Sequence, residues 1–176
     1  MTQAARIRRL DSLNDPRHLA DLCEVLIDCV DGDASVSFMH PLSLPKAQAF
    51  WSAVADGLAR NDRALLVAQN GGGRIVGTVQ VVWAQSENQP HRADVSKMLV
   101  HRGARRQGIG AALMAAAEQA AAEAGRTVLV LDTASGEAER LYQRLGWQRC
   151  GTIPGYALWP RGGVCATTIY FKALPA

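Results

Sequence analysis

The chain has 176 residues, 48% of them hydrophobic and 20% charged, with a formal net charge of +3. That length suits one well-buried core rather than two domains, and the composition is that of a globular protein rather than a disordered or fibrous one. The basic excess is too small to mark a nucleic-acid binder, and the longest apolar run, Ala111–Ala117, is too short to span a bilayer.

The first residues, MTQAARIRRLDSLNDP, carry cations but no apolar h-region. No secretory signal is visible, and a cytoplasmic protein is expected. Ala5–Arg9 reads as a short strand. A helix follows from Pro16, a residue suited to a first turn, through LADLCEVLIDCV to Val30. Gly32–Ser43, small and hydroxylic, reads as a loop, and a second helix spans Pro45 to Ala59. The period then changes to two. Ala64–Gln69 and Ile75–Ala84 are strands joined by Asn70-Gly71-Gly72-Gly73, a strong hairpin signal, and Ala93–Val100 is a third strand. An alanine-rich helix ends at Gly125. Thr127–Leu131 is an apolar run suited to a strand buried on both faces. Gly136–Leu145 is a helix closed by Gly146, and Trp147–Ile153 and Val164–Lys172 are the last strands. The order predicts a single domain built on a mixed α/β sheet.

Cys23, Cys29, Cys150 and Cys165 form no C-x-x-C pair, and the four histidines show no metal-ligand spacing. Reduced thiols and no metal are expected, with Cys150 and Cys165 able to face each other across the last two strands.

The chemistry concentrates in RRQGIGAALM, Arg105–Met114, where Gly108 and Gly110 open a helix straight after a strand. A helix N-terminus presents unpaired N–H groups and the positive end of the dipole, and glycine lets an anion approach the backbone. Arg102, Arg105 and Arg106 add cations suited to phosphate oxygens. A tight turn with solvated arginines explains the glycines alone equally well. A Walker A loop is excluded because Ala111 and Ala112 follow Gly110. A dinucleotide fingerprint is weakened by Leu113, although Asp132 ends the next strand where a ribose acid would stand.

Val100 followed by Arg105-Arg106-Gln107-Gly108-Ile109-Gly110 resembles the acyl-CoA loop of the GNAT acetyltransferases, whose pattern is [RQ]-x-x-G-x-[GA] after a strand. Ala138–Trp147, with Tyr142 four residues before Gly146-Trp147, resembles that family's later helix. Gly32–Met39, Arg92–Val100, Leu131-Asp132-Thr133, Ile153–Tyr156 and Thr168–Lys172 resemble the tabtoxin-resistance acetyltransferases, which acetylate the amine of a β-lactam amino acid.

The resemblance implies a GNAT fold: about seven strands with a splayed parallel pair, flanked by about four helices. It implies acetyl-CoA as cosubstrate, gripped by residues 105–110, with pantetheine lying against Met98, Leu99 and Val100. A backbone N–H near Leu99 or Val100 would meet the acetyl carbonyl and stabilise its oxyanion. Tyr142 is the implied general acid; its Ala138/Leu141/Tyr142/Leu145 stripe is also what a core tyrosine would show. Asp132 stands to hold the acceptor ammonium or take its proton, or else to serve the next helix beside the cap Ser135. Asp94 is a second acid, whose facing depends on whether its strand carries a bulge. The acceptor pocket is expected to draw on the loop Gly32–Phe38, with Ser35 and Phe38, and on Tyr156 in the late IPGYALWP turn. The implied acceptor is the primary amine of a small polar molecule, toxin-like or amino-acid-like. Acetylation of a protein N-terminus or lysine, and acyl-CoA binding without catalysis, remain as alternatives. A monomer and a homodimer are equally compatible with the sequence.

Overall fold

The computed structural model describes residues 5–175. Seven strands form one sheet in the order β1-β2-β3-β4-β5-β7-β6. They are β1 (Arg6–Leu10), β2 (Arg63–Gln69), β3 (Ile75–Trp83), β4 (Arg92–Val100), β5 (Val128–Thr133), β6 (Gln148–Leu158) and β7 (Val164–Ala173). Four helices flank it: α1 (Pro16–Asp31), α2 (Leu44–Ala59), α3 (Ile109–Glu123) and α4 (Gly136–Arg144). Neighbouring strands are antiparallel except β4 and β5, the parallel pair. Among the described residues no helix is long and apolar enough to cross a membrane.

Two cores lie on opposite faces of the sheet, and the alternation of β2 feeds both. Ala64, Leu66 and Ala68 face α3 and α4, while Leu65 and Val67 face α1 and α2. The helices end where local chemistry dictates. Asp15 caps α1 by accepting from the Arg17 N–H at 2.9 Å, and Ser135 caps α4 by accepting from the Ala138 N–H at 3.3 Å.

The two late strands differ from the sequence expectation. β6 runs on past Ile153 to Leu158, through Pro154-Gly155. It is an edge strand, so the missing N–H of Pro154 interrupts no ladder, and the register shift between Ile153 and Ala157 absorbs Gly155 at φ 61°. That shift sets Cys165 opposite Ala157, not Cys150. Cys150 is exposed and Cys165 buried, so the two thiols do not meet.

β4 carries the feature that shapes the site. Thr78 pairs with Leu99 but Gln80 with Ser96, so β4 spends one extra residue there. Lys97, at φ 51°, is the bulged residue. Side chains change faces across it: Ala93 and Val95 join the α3/α4 core, whereas Leu99 joins the α1/α2 core.

Candidate active site

β4 and β5 are hydrogen-bonded only where Arg92, Ala93 and Asp94 face Val128, Leu129 and Val130. Beyond Asp94 the strands part, and a cleft of about 1030 Å³ opens between their C-terminal ends. The edge of β4 facing β5 therefore has no strand partner over residues 95–100, which leaves backbone groups there, the Val100 carbonyl apart, to an extended ligand.

The glycine turn stands at the mouth of this cleft. Gly108 is the N-cap of α3 at φ 77° and has no side chain to cap the first turn, so the N–H groups there keep no protein acceptor among the described residues. Gly110 has a different reason. A Cβ there would sit 3.1 Å from Leu141 Cδ2 and 3.8 Å from Met98 Sδ, so the glycine lets α3 start against α4 and β4.

The three arginines divide. Arg102 is held by Asp28, whose carboxylate accepts from its backbone N–H at 2.7 Å and from its Nε at 2.9 Å. Burial pushes the Asp28 carboxyl up, but these bonds and the nearby His101 and Arg102 charges outweigh it and hold the group below its usual value. Arg102 therefore anchors the turn to α1. Arg105 donates from Nε to the Val100 carbonyl at 3.2 Å, which fixes its guanidinium on the cleft wall beside exposed Arg106.

Tyr142 projects from α4 and is 5% exposed, its ring centroid 6.1 Å from those of Trp147 and Tyr170. Its hydroxyl makes no hydrogen bond among the described residues, yet the residue lines the cleft, so it is at once core and site. Burial pushes the phenol well above its usual value of 10, and the Asp132 carboxylate adds to the shift. The group is thereby kept protonated. Asp132, at the end of β5, accepts from the Thr167 hydroxyl at 2.6 Å, while the following helix is capped by Ser135 alone. Asp94 is turned toward Arg92, which donates to it at 2.6 Å, and does not line the cleft.

Of the residues singled out from sequence, the structure brings together Met98, Leu99, Val100, Arg105, Arg106, Gly108, Ile109, Gly110, Asp132, Tyr142 and Ser35. Gln107 turns instead to a cavity of about 470 Å³ beside Arg74 and His101. Phe38 packs edge-on against Phe50, centroids 5.3 Å apart, and Tyr156 stands 56% exposed on β6; neither lines the cleft. The cleft also takes in Ser37, which lies in the loop expected to form the pocket, the cation Lys97, and Trp159, Arg140 and Arg144, which the sequence reading does not single out. The one-turn spacing of Arg140 and Arg144 was a legible signal; Lys97 became a cleft residue only through the bulge. No three His, Cys, Asp or Glu side chains group as metal ligands among the described residues. The buried Cys23 and Cys29 thiols are pushed up by burial and are poor nucleophiles.

Residues 61–149, just over half of the chain, match the family model described as an acetyltransferase (GNAT) domain. The chain belongs to the GNAT acetyltransferases and is an enzyme of that class. Solved structures agree in fold over nearly the whole length. An N-acetyltransferase from Staphylococcus aureus Mu50 superposes with a TM-score of 0.81 at 19% identity, covering 98% of this chain and 100% of that one. A ribosomal-protein-alanine N-acetyltransferase from Brucella melitensis gives 0.77 at 23%, covering 96% and 99%. A GNAT superfamily phosphinothricin acetyltransferase from Sinorhizobium meliloti, in complex with acetyl-CoA, gives 0.81 at 17%, covering 98% and 89%.

Proposed function

We propose that this chain transfers the acetyl group of acetyl-CoA to the primary amine of a small polar molecule, by direct attack while both are bound. The observation that carries the reading is the parting of β4 and β5 immediately beyond Asp94, beside a helix N-terminus with uncapped N–H groups. The residues suit the donor. The first turn of α3 with Arg105 and Arg106 suits a pyrophosphate, and the free edge of β4 suits the amide-bearing pantetheine arm. When bound, acetyl-CoA supplies an activated acyl carbon with a thiolate leaving group.

The chain's own groups do the rest. N–H groups on the unpaired edge of β4 near Leu99 and Val100 are oriented before any ligand arrives and suit a carbonyl oxygen gaining negative charge. Tyr142 keeps its proton and has no competing acceptor, the state required of an acid that protonates a departing thiolate. Asp132 places a carboxylate at the mouth, oriented by Thr167, to hold an acceptor ammonium and receive a proton through water. Much of the acceleration comes from holding two reactants in register.

The acceptor is small. The loop carrying Ser35 and Ser37 and the Trp159 turn line one part of the cleft with small hydroxyls and a ring, which suits a compact polar acceptor. The test is thermal protection by acetyl-CoA against protection by nicotinamide dinucleotides, followed by thiol release in an amine screen. Protection by acetyl-CoA with amine-dependent thiol release is expected. Protection by the dinucleotides alone would overturn the reading; acetyl-CoA binding with no amine turned over would leave only a binding module.

A further inference from the structure

The cations of the cleft are unevenly placed. Arg105 and Arg106 stand at the α3 end, and Arg140 and Arg144 come from α4. Lys97 comes from β4 instead and is the one lysine among these cations. Its ammonium donates to the Ser37 hydroxyl at 3.2 Å and lies 5.8 Å from the centroid of the Phe50 ring. Those contacts are a hydroxyl and a ring face, not a carboxylate. Burial pushes its pKa down, and the Asp132 charge opposes that shift.

The backbone at Lys97 adopts a positive φ that glycine would take without strain. The side chain is half-buried, so its charge loses hydration, and among the described residues it forms no salt bridge. A cation kept under those conditions and facing a cleft is suited to a ligand anion. Asp132 lines the same cleft, and its charge bears on both Lys97 and Tyr142.

We infer that Lys97 anchors the carboxylate of the acceptor, so that the enzyme selects a free amino acid or a close analogue, its amine held toward Asp132 and its carboxylate between Lys97 and the Ser37 hydroxyl. This rests on the transferase reading above and narrows it. The Lys97 ammonium and the Asp132 carboxylate match the two charges of a zwitterion. A protein N-terminus lacks the second charge, because its carboxyl is an amide. Lys97 is thus a specificity-determining residue.

The test sets a panel of free α-amino acids against their own carboxamides, which keep the amine and side chain and remove the negative charge. In the wild type, at least one acid is expected to exceed its carboxamide in kcat/KM by about tenfold to a hundredfold, the range for a charge-assisted hydrogen bond lost. In Lys97→Met the ratio collapses toward one, chiefly through KM for the acid. Lys97→Arg, which keeps the charge, restores part of it. A merely structural role would depress both members of each pair together. Acetyl-CoA titration of the wild type and both variants separates this inference from the one beneath it. Donor binding with every acid no better than its amide, or with no acid turned over, overturns the anchor and leaves the donor site standing. Loss of donor binding in the wild type overturns both. Mass spectrometry finding Lys97 itself acetylated after incubation with acetyl-CoA would also overturn the anchor, since the cation would then be an acceptor.

Discussion

Tyr142→Phe removes one oxygen from a residue that is both packed and exposed to the cleft. The structure separates the two consequences. The ring is 5% exposed and keeps its neighbours Trp147 and Tyr170 in the variant, and the hydroxyl has no hydrogen bond to lose. Stability should therefore change by less than about 1 kcal/mol, a shift of less than roughly 4 °C in Tm for a chain of this size. The chemical effect is far larger. Loss of a positioned general acid costs about 10²- to 10⁴-fold in rate, or about 2.7–5.4 kcal/mol at 1.36 kcal/mol per decade. Three measurements decide it: kcat from thiol release with a good acceptor, acetyl-CoA affinity by titration, and Tm. We expect kcat to fall at least a hundredfold while affinity and Tm hold. A kcat within threefold of wild type refutes the acid role and leaves Tyr142 a core residue. The raised phenol pKa has its own signature in stability. The neutral buried phenol contributes fully below its unfolded value of about 10, and that contribution is lost as pH rises from there through the higher folded value. Tyr142→Phe should be the more resistant protein in that alkaline window.

Alanine at Arg105 and Arg106 should weaken acetyl-CoA binding, with the loss shrinking as salt rises, because exposed charges are screened; salt-independent binding in wild type and variants would count against a charge-paired pyrophosphate. Asp28→Ala frees the turn at Arg102 and should cost about 1–2 kcal/mol, roughly 2–8 °C in Tm at pH 7. The lowered Asp28 pKa means that its stabilisation is present above the unfolded value near 3.9 and is lost as pH falls through the folded value. The two melting curves should therefore converge in acid, and a gap that stays constant would show the carboxylate is not the source. Glu118 accepts from Trp147 Nε1 at 2.9 Å and from Lys172 Nζ at 2.7 Å, tying α3 to the start of β6 and to β7. Its alanine variant should lose about 1–3 kcal/mol in denaturant melts, and an unchanged midpoint would remove that tie from the account.

Local chemistry is what made most of the fold legible. Asn70 turns the β2–β3 hairpin by accepting from the Gly72 and Arg74 N–H groups, each at 3.0 Å, and such a turn needs only nearby residues. The donor loop was legible for the same reason, its glycines being fixed within one strand–turn–helix unit. What depended on distant partners was not. Arg102 and Arg105 look alike in sequence, yet Asp28, 74 residues away, claims the first. Phe38 belongs to a loop whose composition suits a pocket, but Phe50 draws it into a core. The one-residue excess that turns Leu99 toward α1 and lifts Lys97 into the cleft comes from the pairing of β4 with β3, and no composition rule marks it. Pro154-Gly155 signalled a stop, and only the edge position of β6 makes it harmless.

The Ser35 hydroxyl donates to the Leu158 carbonyl at 3.3 Å, the His40 N–H to the Pro160 carbonyl at 2.8 Å, and Arg161 to Asp33 at 3.1 Å and to the Asp31 carbonyl at 3.1 Å. Four bonds thus staple the first loop of the chain to its last hairpin, and none of them touches α3. On the proposed reading, the Ser35 side of the cleft is thereby tied to the late hairpin and not to the glycine turn. On that reading, new residues in the staple would reshape the acceptor side of the cleft while leaving the first turn of α3 as it is.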